Sequence, residues 1–226
     1  MNKLTEPTGA SPSTPASLPG KPYHHGKLHE SLLVAARNIL EKEGLANLSL
    51  RAAARDTGVS HAAPRNHFGD MTGLLSELAA RGWAELGADL TAALPQCQGS
   101  MQQRLARVSN VYVAYAQRHS AMFRLMFRSE RLDWSRPALH KAYQATCEVW
   151  SKALGLPSPS AEQTGPSASG GQPVSASMGA WALMHGMATL FLDGRLAAPV
   201  APQGADSSWS DLSDDVVATL PGWLTD

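Results

Sequence analysis

The chain has 226 residues, enough for one medium domain or two small ones, and 43% of them are hydrophobic, which excludes a disordered chain. Nineteen basic and nineteen acidic residues cancel to a formal net charge of zero. That excludes a histone-like or polybasic protein but leaves room for a local basic face. Cys97 and Cys147 lie far apart and build no zinc or thioredoxin-type motif, so reduced thiols are expected. The opening MNKLTEPTGASPSTPASLPG has no apolar run of the kind a secretory signal needs. No stretch reaches the roughly 20 apolar residues of a spanning helix. A cytoplasmic protein without membrane contact is expected.

Residues 1–22, rich in Pro, Ser, Thr and Gly, read as a disordered tail. The first helix is predicted over Lys27–Glu43, with Leu28, Leu32, Leu33, Ala36, Ile39 and Leu40 on one stripe and Gly44 as its stop. Asn47 or Ser49 caps a short helix from Leu50 to Thr57, and Gly58 breaks it. Ser60 is expected to cap a second short helix, His61–Phe68, although Pro64 removes one N–H from its first turn. Asp70 caps a long helix that reaches about Leu94.

Further on, Met101, Leu105, Val108, Tyr112 and Tyr115 mark an amphipathic helix, followed by a short piece over Ala121–Phe127 and a helix over Ala138–Leu154. Residues 155–174 have the composition of the N-terminal tail and read as a disordered loop. The predicted helix Ser175–Leu196 is apolar on nearly all sides and needs cover on more than one face. A last helix is predicted over Trp209–Trp223.

Two short helices joined at Gly58-Val59-Ser60 satisfy the spacing of a helix-turn-helix, with Ala54 allowing a close crossing and Val59 filling the space between. Spacing alone leaves an ordinary αα-corner equally open. The run LSLRAAARDTGVSHAAPRNHFGDMTGLL, residues 48–75, decides between them, because it resembles the TetR family of transcriptional regulators over residues 23–75. In the C-terminal half, Trp181-Ala-Leu-Met-His185-Gly186 resembles the Trp-x-x-x-His-Gly motif of one subclass of that family, the Trp-His-Gly (WHG) subclass. The segment His119–Phe127 and the ending Leu-Asp-Gly-Arg-Leu196 point the same way.

The resemblance implies an all-α fold. A three-helix helix-turn-helix domain over residues 23–70 is followed by a helical-bundle ligand and dimerisation domain over residues 71–226. It implies that the second short helix lies in the major groove of double-stranded, palindromic operator DNA. On that basis Ser60, His61, Ala63, Arg65 and Asn66 match base- or phosphate-contact positions, His67 a phosphate contact, and Arg51 a position reaching a base or phosphate. Lys27 and His25, with Tyr23 and His24, are placed to add backbone contacts, although the histidines read equally well as solvated tail residues. Two departures stand out: Arg65 where relatives often carry an aromatic, and Met71 where many carry a phosphate-binding lysine.

The resemblance also implies a homodimer, here through Ser175–Leu196 and Trp209–Trp223, and a small apolar effector. Candidate pocket residues are His119, Met122, Phe123, Met126, Trp134, Trp150, Met184 and Met187, all of which also suit plain core. No metal site, cofactor or catalytic residue is expected. No phosphate loop, nucleophile elbow, HExxH or carboxylate pair occurs, and His185 and Asp193 are two helical turns apart, about 12 Å. The rival readings are an enzyme and a helical ligand-binding protein whose helix-turn-helix no longer binds DNA.

Overall fold

A computed structural model describes residues 25–156 and 173–195, and those residues are helical throughout, without strands. The tail 1–22, most of the loop 155–174 and the predicted helix Trp209–Trp223 lie outside the described residues.

Helix α1 (His25–Glu43) buries Leu32, Leu33, Ala36, Ile39 and Leu40 on the expected stripe and stops at Gly44, whose φ of +82° suits only glycine. Helix α2 (Leu50–Asp56) starts at Ser49, whose hydroxyl accepts from Ala52 N at 3.1 Å. Its three alanines, Ala52, Ala53 and Ala54, are all buried, so small side chains bring α2 close to its neighbours. Ser49→Ala should lower stability by about 1 kcal/mol. A urea melt tests this, and an unmoved midpoint would show that the cap contributes nothing.

Helix α3 (Ala63–Phe68) departs from expectation at its start. His61 and Ala62 form a turn, the Ala63 amide donates to the Ser60 carbonyl at 3.0 Å, and no side chain caps the helix. The helix therefore begins two residues later than predicted, and the Ser60 hydroxyl is not its cap. The reason is Pro64. It sits within the first turn, where its missing N–H would have had no intrahelical partner, and its buried ring is accommodated there.

Helix α4 (Met71–Ala93) opens as expected on Asp70, whose carboxylate accepts from Gly73 N at 2.8 Å. After a single 3₁₀ turn come α5 (Met101–Arg118), opened by a Ser100–Gln103 capping box, and α6 (Ser120–Met126). Helix α7 (Pro137–Leu154) ends on Gly155 in the left-handed region. Helix α8 (Pro173–Leu192) begins two residues inside the predicted loop, proline being suited to a first helical position.

Helices α4 and α7 make the most extensive contact, and α5 packs on both as well as on α6 and α8. One continuous core runs from Leu32 through Phe68, Leu78, Tyr112 and Met126 to Met184. Helix α8 buries Ala180, Met184, Met187 and Ala188 but leaves Met178 and Leu190 exposed, as an all-round apolar helix with one face still uncovered does. Cys97 and Cys147 are free thiols, and burial pushes both above the usual thiol range. Among the described residues no helix is long and apolar enough to cross a membrane, and no cluster of His, Cys, Asp or Glu could hold a metal ion.

Candidate functional site

Arg51 at the start of α2 and Ser60, His61, Arg65 and Asn66 around α3 are exposed. None of these side chains makes a hydrogen bond or ion pair among the described residues. Ala63 is half-buried between them, and Lys27 is exposed on the first turn of α1. Only the backbone of His25 is described, and Tyr23 and His24 lie outside the described residues. Donors held on short helices with nothing among the described residues to satisfy them suit an external acceptor surface such as a row of phosphates or base edges. His67 differs from the rest: its ring, half-buried, faces His29 at 5.8 Å and Phe68 at 6.2 Å. Met71 is half-buried against the core rather than free at the surface, which gives it a packing role where a lysine would have offered charge.

Besides the Glu30–Arg81 pair between α1 and α4, two polar joints tie this head to the rest of the molecule. In the first, Arg136, immediately before α7, donates to the Phe68 carbonyl at 2.8 Å and lies 3.7 Å from Glu77, which also pairs with His29 of α1 at 3.0 Å. In the second, Arg37 of α1 forks onto both carboxylate oxygens of Glu85 on α4, and its guanidinium lies 3.3 Å from His119 Nδ1 where α5 meets α6. The hydrogen bond to Glu85 holds the Arg37 guanidinium above its usual range, with burial opposing. The Tyr115 hydroxyl reaches the same carboxylate at 3.5 Å. Neither joint was visible in the sequence, because each spans dozens of residues and ordinary arginines and glutamates carry no signature.

Arg136→Ala should cost about 1–2 kcal/mol, the arginine being only partly exposed, and should raise amide exchange in α3 more than in α5 and α7. Uniform loss of protection would contradict a role specific to the joint.

In the larger half of the molecule a cleft of about 190 Å³ is lined by Phe123, Arg124, Phe127, Arg128, His185, Thr189 and Leu192. Of the predicted pocket residues only Phe123 lines it. Met122, Met126, Trp150 and Met184 are buried in the continuous core, Met187 is buried on α8, and Trp134 is half-buried against Tyr143. His119 belongs to the Arg37 joint. Asp193, weighed with His185 as a pair, instead binds Arg124 at 2.9 Å. A larger trough of about 360 Å³ between α4 and α7 is walled by small residues such as Ala84, Gly87 and Ala145 and offers little for a ligand to grip.

His185 is the centre of the aromatic cluster. It stacks on Trp181 at 5.3 Å, lies 4.2 Å from Phe127 and 5.6 Å from Phe123, and its Nδ1 is 3.0 Å from the Tyr112 hydroxyl. Burial lowers its pKa, so the neutral ring is favoured. The spacing of Trp181 and His185, one helical turn apart on α8, was legible; that Tyr112 of α5 joins them was not.

Residues 105–216 are similar to the family described as Tetracyclin repressor-like, C-terminal domain. Among solved structures, a protein of unknown function from Rhodococcus sp. RHA1 is 33% identical, with 88% of this chain and 93% of that one covered and a TM-score of 0.63. The candidate regulatory protein SCO4313 is 20% identical, over 86% of this chain and 94% of its own, with a TM-score of 0.61. A bacterial regulatory protein in the tetR family from Rhodococcus RHA1 is 16% identical, over 85% and 94%, with a TM-score of 0.52. No curated protein sequence matches the chain significantly.

Proposed function

The chain belongs to the TetR family of transcriptional regulators, a non-enzymatic family, and from that premise we propose that it is a repressor released from its operator by a small ligand. Residues 23–70 form the reading head and residues 71–226 the ligand and dimerisation domain. Arg51, Ser60, His61, Ala63, Arg65, Asn66 and His67, supported by Lys27 and His25, face palindromic double-stranded DNA. The Trp181-x-x-x-His185-Gly186 run supports the Trp-His-Gly subclass for the second domain, and the protein works in the cytoplasm.

The observation that carries the switch is the pair of joints. Arg37–Glu85–His119 and Phe68–Arg136–Glu77–His29 connect the head to α4, to the start of α7 and to the junction of α5 with α6, and α6 carries Phe123 and Arg124 into the cleft. A ligand that shifts those helices moves the head with them, and two heads in a dimer then miss the half-site spacing. The exposed apolar face of α8 supports pairing through α8 and residues 209–223. A coupling of about 1–3 kcal/mol changes operator affinity roughly 5- to 150-fold. Operator affinity is compared with and without a ligand shown to be bound; equal affinities would sink the switch.

Arg65→Ala should weaken operator binding by about tenfold, measured by anisotropy. A uniform loss across sequences with a salt slope shallower by about one counterion marks a phosphate contact. A relaxed preference at one base pair marks a base contact. Unchanged affinity would remove Arg65 from the interface.

A further inference from the structure

The aromatic cleft has a polar side that an apolar effector would leave idle. Arg124, at its rim, is already balanced by Asp193 and by the Leu192 carbonyl at 3.1 Å. Arg128, one turn on from Arg124, also lines the cleft, is exposed, and makes no side-chain hydrogen bond or ion pair among the described residues. Among the described residues, the rim therefore carries an uncompensated cation. Burial keeps the Tyr112 hydroxyl protonated despite the hydrogen bond Trp181 offers it, so that hydroxyl has a hydrogen for His185 Nδ1. With the hydroxyl as donor, the imidazole proton lies on Nε2, which makes no hydrogen bond among the described residues. The wall thus supplies flat apolar surface from Phe123 and Phe127, with two unspent donors, His185 Nε2–H and the Arg128 guanidinium.

We propose that this cleft binds a small ligand with a flat apolar body and an anionic head, the body against Phe123, Phe127 and His185 and the head at Arg128. The volume of about 190 Å³ exceeds the roughly 150 Å³ that takes benzene in an apolar cavity. A one- or two-ring carboxylate is the matching size. The proposal rests on the effector reading above and names the ligand class for it.

The test is calorimetric titration of the full chain with 2-naphthoate and with 2-naphthalenemethanol, which share a body and differ in the head. Naphthoate should bind about tenfold more tightly. Arg128→Gln, an exposed change that leaves the fold intact, should bring naphthoate down to the affinity of the alcohol and leave the alcohol unaffected. Phe127→Ala should weaken both. Equal affinities in the parent chain, a naphthoate preference that survives Arg128→Gln, or no binding of either probe would overturn the proposal. Naphthoate that binds with the expected preference yet leaves operator affinity unchanged supports this site and overturns the effector reading. Preference-free binding that nevertheless releases operator does the reverse.

Discussion

Phe68→Ala should cost about 3–5 kcal/mol and abolish operator binding. Phe68 closes the reading head: its side chain is 1% exposed and its ring packs on His29 at 4.9 Å. The head has few large buried side chains besides it, chiefly Leu32, Leu33, Leu40 and Leu48, so a cavity there has little else to collapse onto. A domain of ordinary stability has only about 5–15 kcal/mol in hand. The larger core from Leu74 to Ala188 does not depend on the ring, so most helix content should survive by circular dichroism while α3 loses its seat. Phe68→Leu keeps most of the volume and should cost under about 1.5 kcal/mol, with operator binding retained. Tight operator binding by the alanine variant would mean that α3 is positioned by something other than this ring.

Gly73→Ala strikes the same seat without removing a buried atom. A Cβ on Gly73 would lie 2.0 Å from the Phe68 carbonyl oxygen and 2.4 Å from the Arg136 guanidinium that binds that oxygen. Backbone cannot swing aside as a flexible side chain does, and the Gly73 amide is itself held by Asp70 at 2.8 Å. Either the turn from Phe68 to Asp70 moves or the cap and the Arg136 bond break. The expected cost is about 1–3 kcal/mol of stability. A similar loss in operator binding, roughly 5- to 150-fold, is expected because α3 is displaced relative to α4. Chemical denaturation gives the first and anisotropy the second. An alanine variant that retains both would show that the turn is pliable and that the Arg136 joint does not fix the head.

What the sequence made legible follows from local chemistry. The Leu32–Leu40 stripe, the stop at Gly44, the Gly58 turn and the Asp70 cap are each decided within a few residues, and each stands where it was expected. Helix α3 begins two residues after the start its sequence suggests, because Ser60 reads as a cap while Pro64 governs where the first turn can begin. The functional connections lay out of reach for a different reason. Periodicity reports which face of a helix is apolar and says nothing of the neighbour that covers it. Arg136 meets Phe68 across 68 positions, and Arg37 meets His119 across 82. Met and aromatic residues at helical spacing mark core as readily as cleft, and of the expected pocket residues only Phe123 lines the cleft. Arg128 and Thr189, which line the cleft, carry no such mark.

The central claim is sequence-specific DNA recognition by the exposed, unpaired donors of α2 and α3. Its most direct test is selection of sheared genomic DNA on the purified protein, with recovered fragments retested by anisotropy at two salt concentrations. The expected result is enrichment of a palindrome whose binding weakens as salt rises. No enriched sequence even at low salt would contradict the claim and leave a helical ligand-binding protein with a silent reading head.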